Sequence, residues 1–228
     1  MEFSTYTLAN KVNNFTLDVI SDDLYIRNTL AHGYEWDGWM RPDIEKLYKP
    51  GTDIVDIGGN IGWNSLMFSD YGPVHTFEPL FHSVISKNVA QNTLKNPVTV
   101  YPVGLSNVSE TILIYKPIPQ DYGLTNYGGC SMTPNDKQHL PTGYPVKIDR
   151  LDDVYSGVPS IIKIDVEGLE YQVVLGAENI IRKYKPALYI EIFDFDTSPI
   201  VPFIKNLGYD TIVKRPECNY LCLAKQVL

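Results

Sequence analysis

Apolar positions along the chain fall into short runs set between helical stretches. "FTLDVI" near the start, then "DIVDIG", "VHTFE", "VTVYPV", "IIKIDV" and "ALYIEIF", are β-branched and apolar and predict strands. From Asp53 onward helical stretches follow most of them, which predicts a covered, mostly parallel sheet of an α/β protein. Ahead of this, "DDLYIRNTLAHG" and "RPDIEKLYKPG" predict two helices, the second closed by Pro50 and Gly51. Residues 1–50 are therefore expected to form an N-terminal cap on a domain that occupies 51–228. Two places break the alternation. Between Glu110 and Arg150, "TILIYK" and "YPVKIDR" predict added strands around a polar loop insertion at 116–143, too long for a plain connection. At the end, "YDTIVKR" and "CNYLCLA" flank a short turn and predict an antiparallel C-terminal hairpin at the sheet edge.

Composition narrows the partners. At 228 residues, 44% hydrophobic and 20% charged, the chain can bury one sizeable core. A formal net charge of -8 leaves little for a phosphate-backbone footprint, so no nucleic acid is expected. No apolar run reaches bilayer length and the start lacks a signal-peptide pattern, which predicts no membrane contact and a cytoplasmic location. The three cysteines, Cys130, Cys218 and Cys222, fit neither a disulfide framework nor a four-ligand zinc site. Nothing in the sequence speaks to oligomeric state.

The stretch "VDIGGNIGWNS" decides the ligand class. A phosphate-binding P-loop needs Lys and then Ser or Thr after its last glycine, and here Gly62 is followed by Trp63. The glycines Gly58, Gly59 and Gly62 also depart from the G-x-G-x-x-G spacing of a dinucleotide site, which leaves a nicotinamide cofactor as the second reading. S-adenosylmethionine carries no phosphate and asks for a tight turn plus an acceptor for ribose hydroxyls. Glu78, at the end of the next strand, supplies that acceptor.

Further along, "SIIKIDVEGLEYQVVLGAENII" places Asp165 and Glu167 just past an apolar strand, and "KPALYIEIF" brings Glu191 near the same edge. Together with "FEP", "VGLSN", "VKIDRLDDV" and "PALYIEI", these stretches resemble the FkbM family of S-adenosylmethionine-dependent methyltransferases from about Asp53 to Phe193. The resemblance implies the Rossmann-like class I methyltransferase fold with a seven-stranded sheet, O-methylation, and acceptors that are commonly sugars or sugar-bearing products. The family usually has Ala where Gly59 stands, a change expected to leave the turn intact. It often has His where this chain has Phe193.

These readings give each residue a role and a plainer alternative. Asp56 is expected to hold the cofactor's amino group, or else to cap the backbone. Gly58 and Asn60 should approach the cofactor, Gly62 should let a helix pack, and Gly104 with Leu105 should border the adenine or form a plain turn. Oxygen methylation needs a base, and carboxylates in an apolar site can serve. Asp165 and Glu167 are the candidates, with Lys163 as a charge-tuning neighbour and Glu191 joining from the next strand. The three carboxylates are also hard-cation ligands, although no metal is expected. Tyr34, Trp36 and Trp39 read as sugar-stacking faces or as core, and Asn126 and Ser131 as hydroxyl ligands on a mobile lid. A glycan-binding module without catalysis is the reading from another class.

Overall fold

The computed structural model describes residues 3–9, 14–131 and 138–225. An antiparallel ribbon of β1 (Thr5–Ala9) and β2 (Thr16–Ile20) leads into α1 (Ile26–Ala31) and α2 (Arg41–Leu47). The main sheet opens with β3 (Asp53–Ile57), and α3 (Trp63–Phe68), β4 (Val74–Phe77), α4 (His82–Ala90) and β5 (Val98–Tyr101) follow. Next, β6 (Gly104–Leu105), β7 (Glu110–Pro117) and β8 (His139–Asp149) form a second, three-stranded sheet in the order β6-β8-β7. The chain returns through α5 (Leu151–Val154) to β9 (Pro159–Ile164), α6 (Glu170–Gly176), α7 (Glu178–Tyr184), β10 (Ala187–Glu191), α8 (Ile200–Asn206), β11 (Tyr209–Lys214) and β12 (Asn219–Ala224).

The main sheet has seven strands in the order β11-β12-β10-β9-β3-β4-β5. The five from β10 to β5 are parallel, and β12 runs antiparallel to both β10 and β11, which is the expected hairpin. Period-two alternation assigns the faces. Val55, Ile57, Ile162 and Ile164 point into a core with α6, α7 and α8, while Ile54, Ile161, Tyr189 and Leu221 point into a core with α2 and α3. A third core joins the β1–β2 ribbon and α1 to Trp63, Leu66 and Phe81. From β3 the strand order runs outward both ways, to β4 and to β9, so a crevice opens at their carboxyl ends.

The insertion differs from the expected open loop. Its last residues, from His139, already belong to β8, where Gly143 pairs with Tyr115. Its middle is fastened to the cap: the amides of Leu24 and Thr125 donate to Thr125 and Asp22 carbonyls, and the Tyr127 hydroxyl donates to the Asp22 carboxylate at 2.9 Å. Residues 132–137 of the predicted lid lie outside the described residues.

Candidate active site

The crevice beyond β3, β4 and β9 holds a cavity of about 490 Å³. Its floor is the turn after β3. Gly58 sits at φ +84, and a Cβ there would run into the carbonyl oxygen of Asp165, so only glycine lets the turn pass this close to the end of β9. Asn60, also left-handed at φ 50, donates its amide to Glu78 Oε2 at 3.0 Å. The other oxygen of Glu78 accepts the amides of Leu80 and Phe81 at 2.8 and 3.1 Å. One carboxylate thus fixes the starts of two turns while facing the cavity, and burial pushes it up to about 7 despite those three donors. Gly104 and Leu105 line the wall from β6, with Gly104 wedged between Ile148 and Pro79.

Two further glycines are set by packing, Gly62 behind the wall and Gly59 within it. A Cβ on Gly62 would come 2.8 Å from Ile85 Cγ2, so this residue serves the packing of α3 on α4 and is not part of the lining. Gly59 is tighter than the sequence suggests. The alanine usual in the family would press its Cβ on Thr76 Oγ1, and Thr76, buried with no hydrogen bond for that hydroxyl, would have to turn first.

On the side facing α3, alternation stacks ionisable groups at the crevice. Asp56 and Lys163 are register partners on β3 and β9, and Asp165 and Glu191 continue the same face. Asp56 is fully buried, accepts from Ser65 Oγ at 2.6 Å and lies 3.9 Å from Lys163. It stands beneath the cavity and is not among the residues that line it. Lys163 donates to Asp165 at 3.0 Å. Burial by itself would lower the Lys163 pKa, but the charges of Asp165 and Asp56 outweigh it and hold the ammonium form.

Glu167 leaves the strand pattern. It adopts φ 54, an uncommon left-handed backbone for this residue type, and follows Asp165 and Val166 into the cavity lining. Among the described residues it makes no hydrogen bond, and burial with the charges of Asp165 and Glu170 raises it to about 8. Glu191 is pushed up to about 9, first by burial and then by Asp165 and Glu167, and its Oε2 is buried without a partner. One oxygen each of Asp165, Glu167 and Glu191 comes within 4.8 Å of the others. Glu170, absent from the sequence reading, accepts the amides of Val166 and Gly168 and holds this turn. Its position at the start of α6 was the available signal.

The expected acceptor residues divide. Trp36 and Asn126 line the cavity. Tyr34 points to solvent at 69% exposure, Trp39 packs on Tyr189 in the core under α2, and Ser131 pairs its backbone with Tyr115 on β7. The structure does not bring these three to the lining. It adds Asp37, Asn64, Tyr127, Cys130 and Phe193. The lining carries Asp37, Glu78, Asp165, Glu167, Glu191 and Glu217 against Lys163 as its one cationic side chain among the described residues. Such an acceptor-rich lining fits a ligand bearing a sulfonium and an ammonium better than the pyrophosphate of a dinucleotide.

The fold is that of the class I methyltransferases. Residues 56–211 match the model of the methyltransferase FkbM domain, and the chain belongs to that family, whose methyl donor is S-adenosylmethionine. A methyltransferase FkbM from Methylobacillus flagellatus superposes with a TM-score of 0.51 at 18% identity, covering 75% of this chain and 43% of that one. A Pyrococcus abyssi tRNA (uracil-54, C5)-methyltransferase in complex with S-adenosyl-L-homocysteine gives 0.50 at 13% identity, over 95% of this chain and 43% of that one. This chain therefore spans less than half the length of either structure. No curated protein matches the sequence.

Proposed function

We propose that the protein transfers a methyl group from S-adenosylmethionine to a hydroxyl of a sugar, glycan or glycoconjugate. The observation that carries this reading is the carboxylate cluster at the mouth of a glycine-turn cavity, with one buried lysine already engaged. Glu78 and the Asn60 turn would hold the ribose side, and Leu105 and Ile148 would give the base an apolar wall. When bound, the cofactor supplies an electrophilic methyl on a cationic sulfur. The acceptor oxygen forms a bond to that carbon as the carbon–sulfur bond breaks, the electron pair stays on sulfur, and the hydroxyl proton must go to the protein.

Glu167 is the better base. Asp165 shares its charge with Lys163, whereas Glu167 is unpaired and its raised affinity for protons lies near neutral pH. Trp36 and Phe193, the latter 62% exposed, offer apolar ring surface of the kind that stacks on sugar faces, and Asn126 offers a hydroxyl ligand. Phe193 carries no ionisable group and leaves the proton to the carboxylates. Incubating a sugar and glycoside library with methyl-labelled S-adenosylmethionine and reading products by mass spectrometry tests the reading. Labelled methyl ethers support it; glycan binding without turnover, or label only on nitrogen or carbon, defeats it.

A further inference from the structure

The segment "GYEWDGWM" lies before the family match begins at residue 56, yet part of it reaches the cavity. Asp37 adopts φ 52, a backbone uncommon for a residue other than glycine. Its Oδ2 accepts from Asn64 Nδ2 at 2.9 Å and its Oδ1 from Trp39 Nε1 at 3.1 Å. The neighbouring carbonyl of Trp36 accepts from the Trp63 indole at 2.7 Å. Two bonds from α3 therefore stitch this turn over the cavity. Asn64 is 7% exposed, lines the cavity, and leaves its Oδ1 buried with no hydrogen bond. A buried amide oxygen without a donor is costly, and a donor from a ligand removes the cost.

Asp56, the residue expected to receive the amino-acid end of the cofactor, is sealed behind the wall by Ser65 and Lys163. Asp37 faces the same nook, since its charge is felt by both Lys163 and Asp56. Each Asp37 oxygen has spent one acceptor site and keeps another. We infer that Asp37 and Asn64 form the site for the α-ammonium group of S-adenosylmethionine, with the Asp37 carboxylate and the free Asn64 Oδ1 accepting its protons. The cap thereby becomes part of the cofactor site, and a segment ahead of the matched residues 56–211 supplies the binding charge. The inference rests on the family's cofactor and is independent of the acceptor.

Two ligands separate this role from packing. S-adenosylhomocysteine carries the amino-acid end, and 5′-methylthioadenosine lacks it while keeping the nucleoside. Calorimetry on Asp37→Asn and on Asn64→Ala should show S-adenosylhomocysteine bound about tenfold to hundredfold more weakly, the usual loss for a hydrogen bond to a charged group. Affinity for 5′-methylthioadenosine should stay within about twofold, because nothing that touches the nucleoside has changed. Should one variant fail to fold, the other carries the test. Unchanged affinity for S-adenosylhomocysteine, or equal weakening of both ligands, overturns the assignment. Wild-type protein that binds neither compound would overturn the cofactor itself, a different failure from a variant that binds as the wild type does.

Discussion

Asp56 and Glu78 end neighbouring parallel strands, yet only one of them reaches the cavity. The difference is the side each faces: Asp56 turns under α3 to Ser65, while Glu78 lies past the end of β4 and bends back to the amide of Asn60. Glu78→Ala should weaken S-adenosylhomocysteine by roughly 1 to 3 kcal/mol, through the lost acceptor and the loosened turn together. Calorimetry reads it directly, and wild-type affinity would take Glu78 out of the site. Gly58→Ala should be worse, because its Cβ meets the backbone oxygen of Asp165 just past β9, which cannot swing aside as a side chain can. A loss of about 3 kcal/mol in denaturant unfolding, with cofactor binding abolished, is the expected outcome. Both residues were legible in the sequence, since a glycine after a strand and an acid ending the next one are local signals. The true neighbours of Asp56 were not, because Lys163 is 107 positions away and only strand register brings the two together.

Among elements, the parallel strands declared themselves by β-branched runs, and the hairpin of β11 and β12 by its turn. The joining of cap and insertion did not. Its bonds link Asp22 to Tyr127 and Leu24 to Thr125, single long-range contacts with no periodic mark in the sequence. For the same reason Trp39 and Tyr34 were indistinguishable from Trp36 before the fold assigned one to the core, one to solvent and one to the cavity. If the insertion is held as a fixed wall, Tyr127→Phe should loosen it without emptying the core: the ring keeps its contacts with Phe3 and Phe81, and only the hydroxyl's bonds to Asp22 and Thr125 go. We expect a loss of about 1 kcal/mol in stability and faster proteolytic cutting between residues 117 and 131. Proteolysis at the wild-type rate would mean that the hydroxyl does not hold this wall.

At the scale of the whole molecule, the cavity sets a pH dependence that can be signed. Glu78, Glu167 and Glu191 are raised from an ordinary 4.5 to about 7, 8 and 9, each first by burial. The folded protein therefore keeps protons that the unfolded chain releases near 4.5. Their stabilising contribution is complete below that value and is lost as pH rises through 7, 8 and 9. Asp18, Asp70 and Asp149 are lowered and act oppositely, losing their contribution only as pH falls below about 4. Ligand-free protein should accordingly melt at a higher temperature at pH 5.5 than at pH 8.5, and Glu191→Gln should flatten that slope by removing the highest of the three transitions. A cationic ligand reverses the preference, because it favours the ionised carboxylates. S-adenosylmethionine should then bind more tightly as pH rises from 6 to about 7.5, below the range in which its own α-ammonium group loses a proton, and release protons into the buffer, a release that calorimetry in buffers of different ionisation enthalpy measures. Binding that tightens towards acid pH, with protons taken up, would mean that these carboxylates do not face the cofactor's charge.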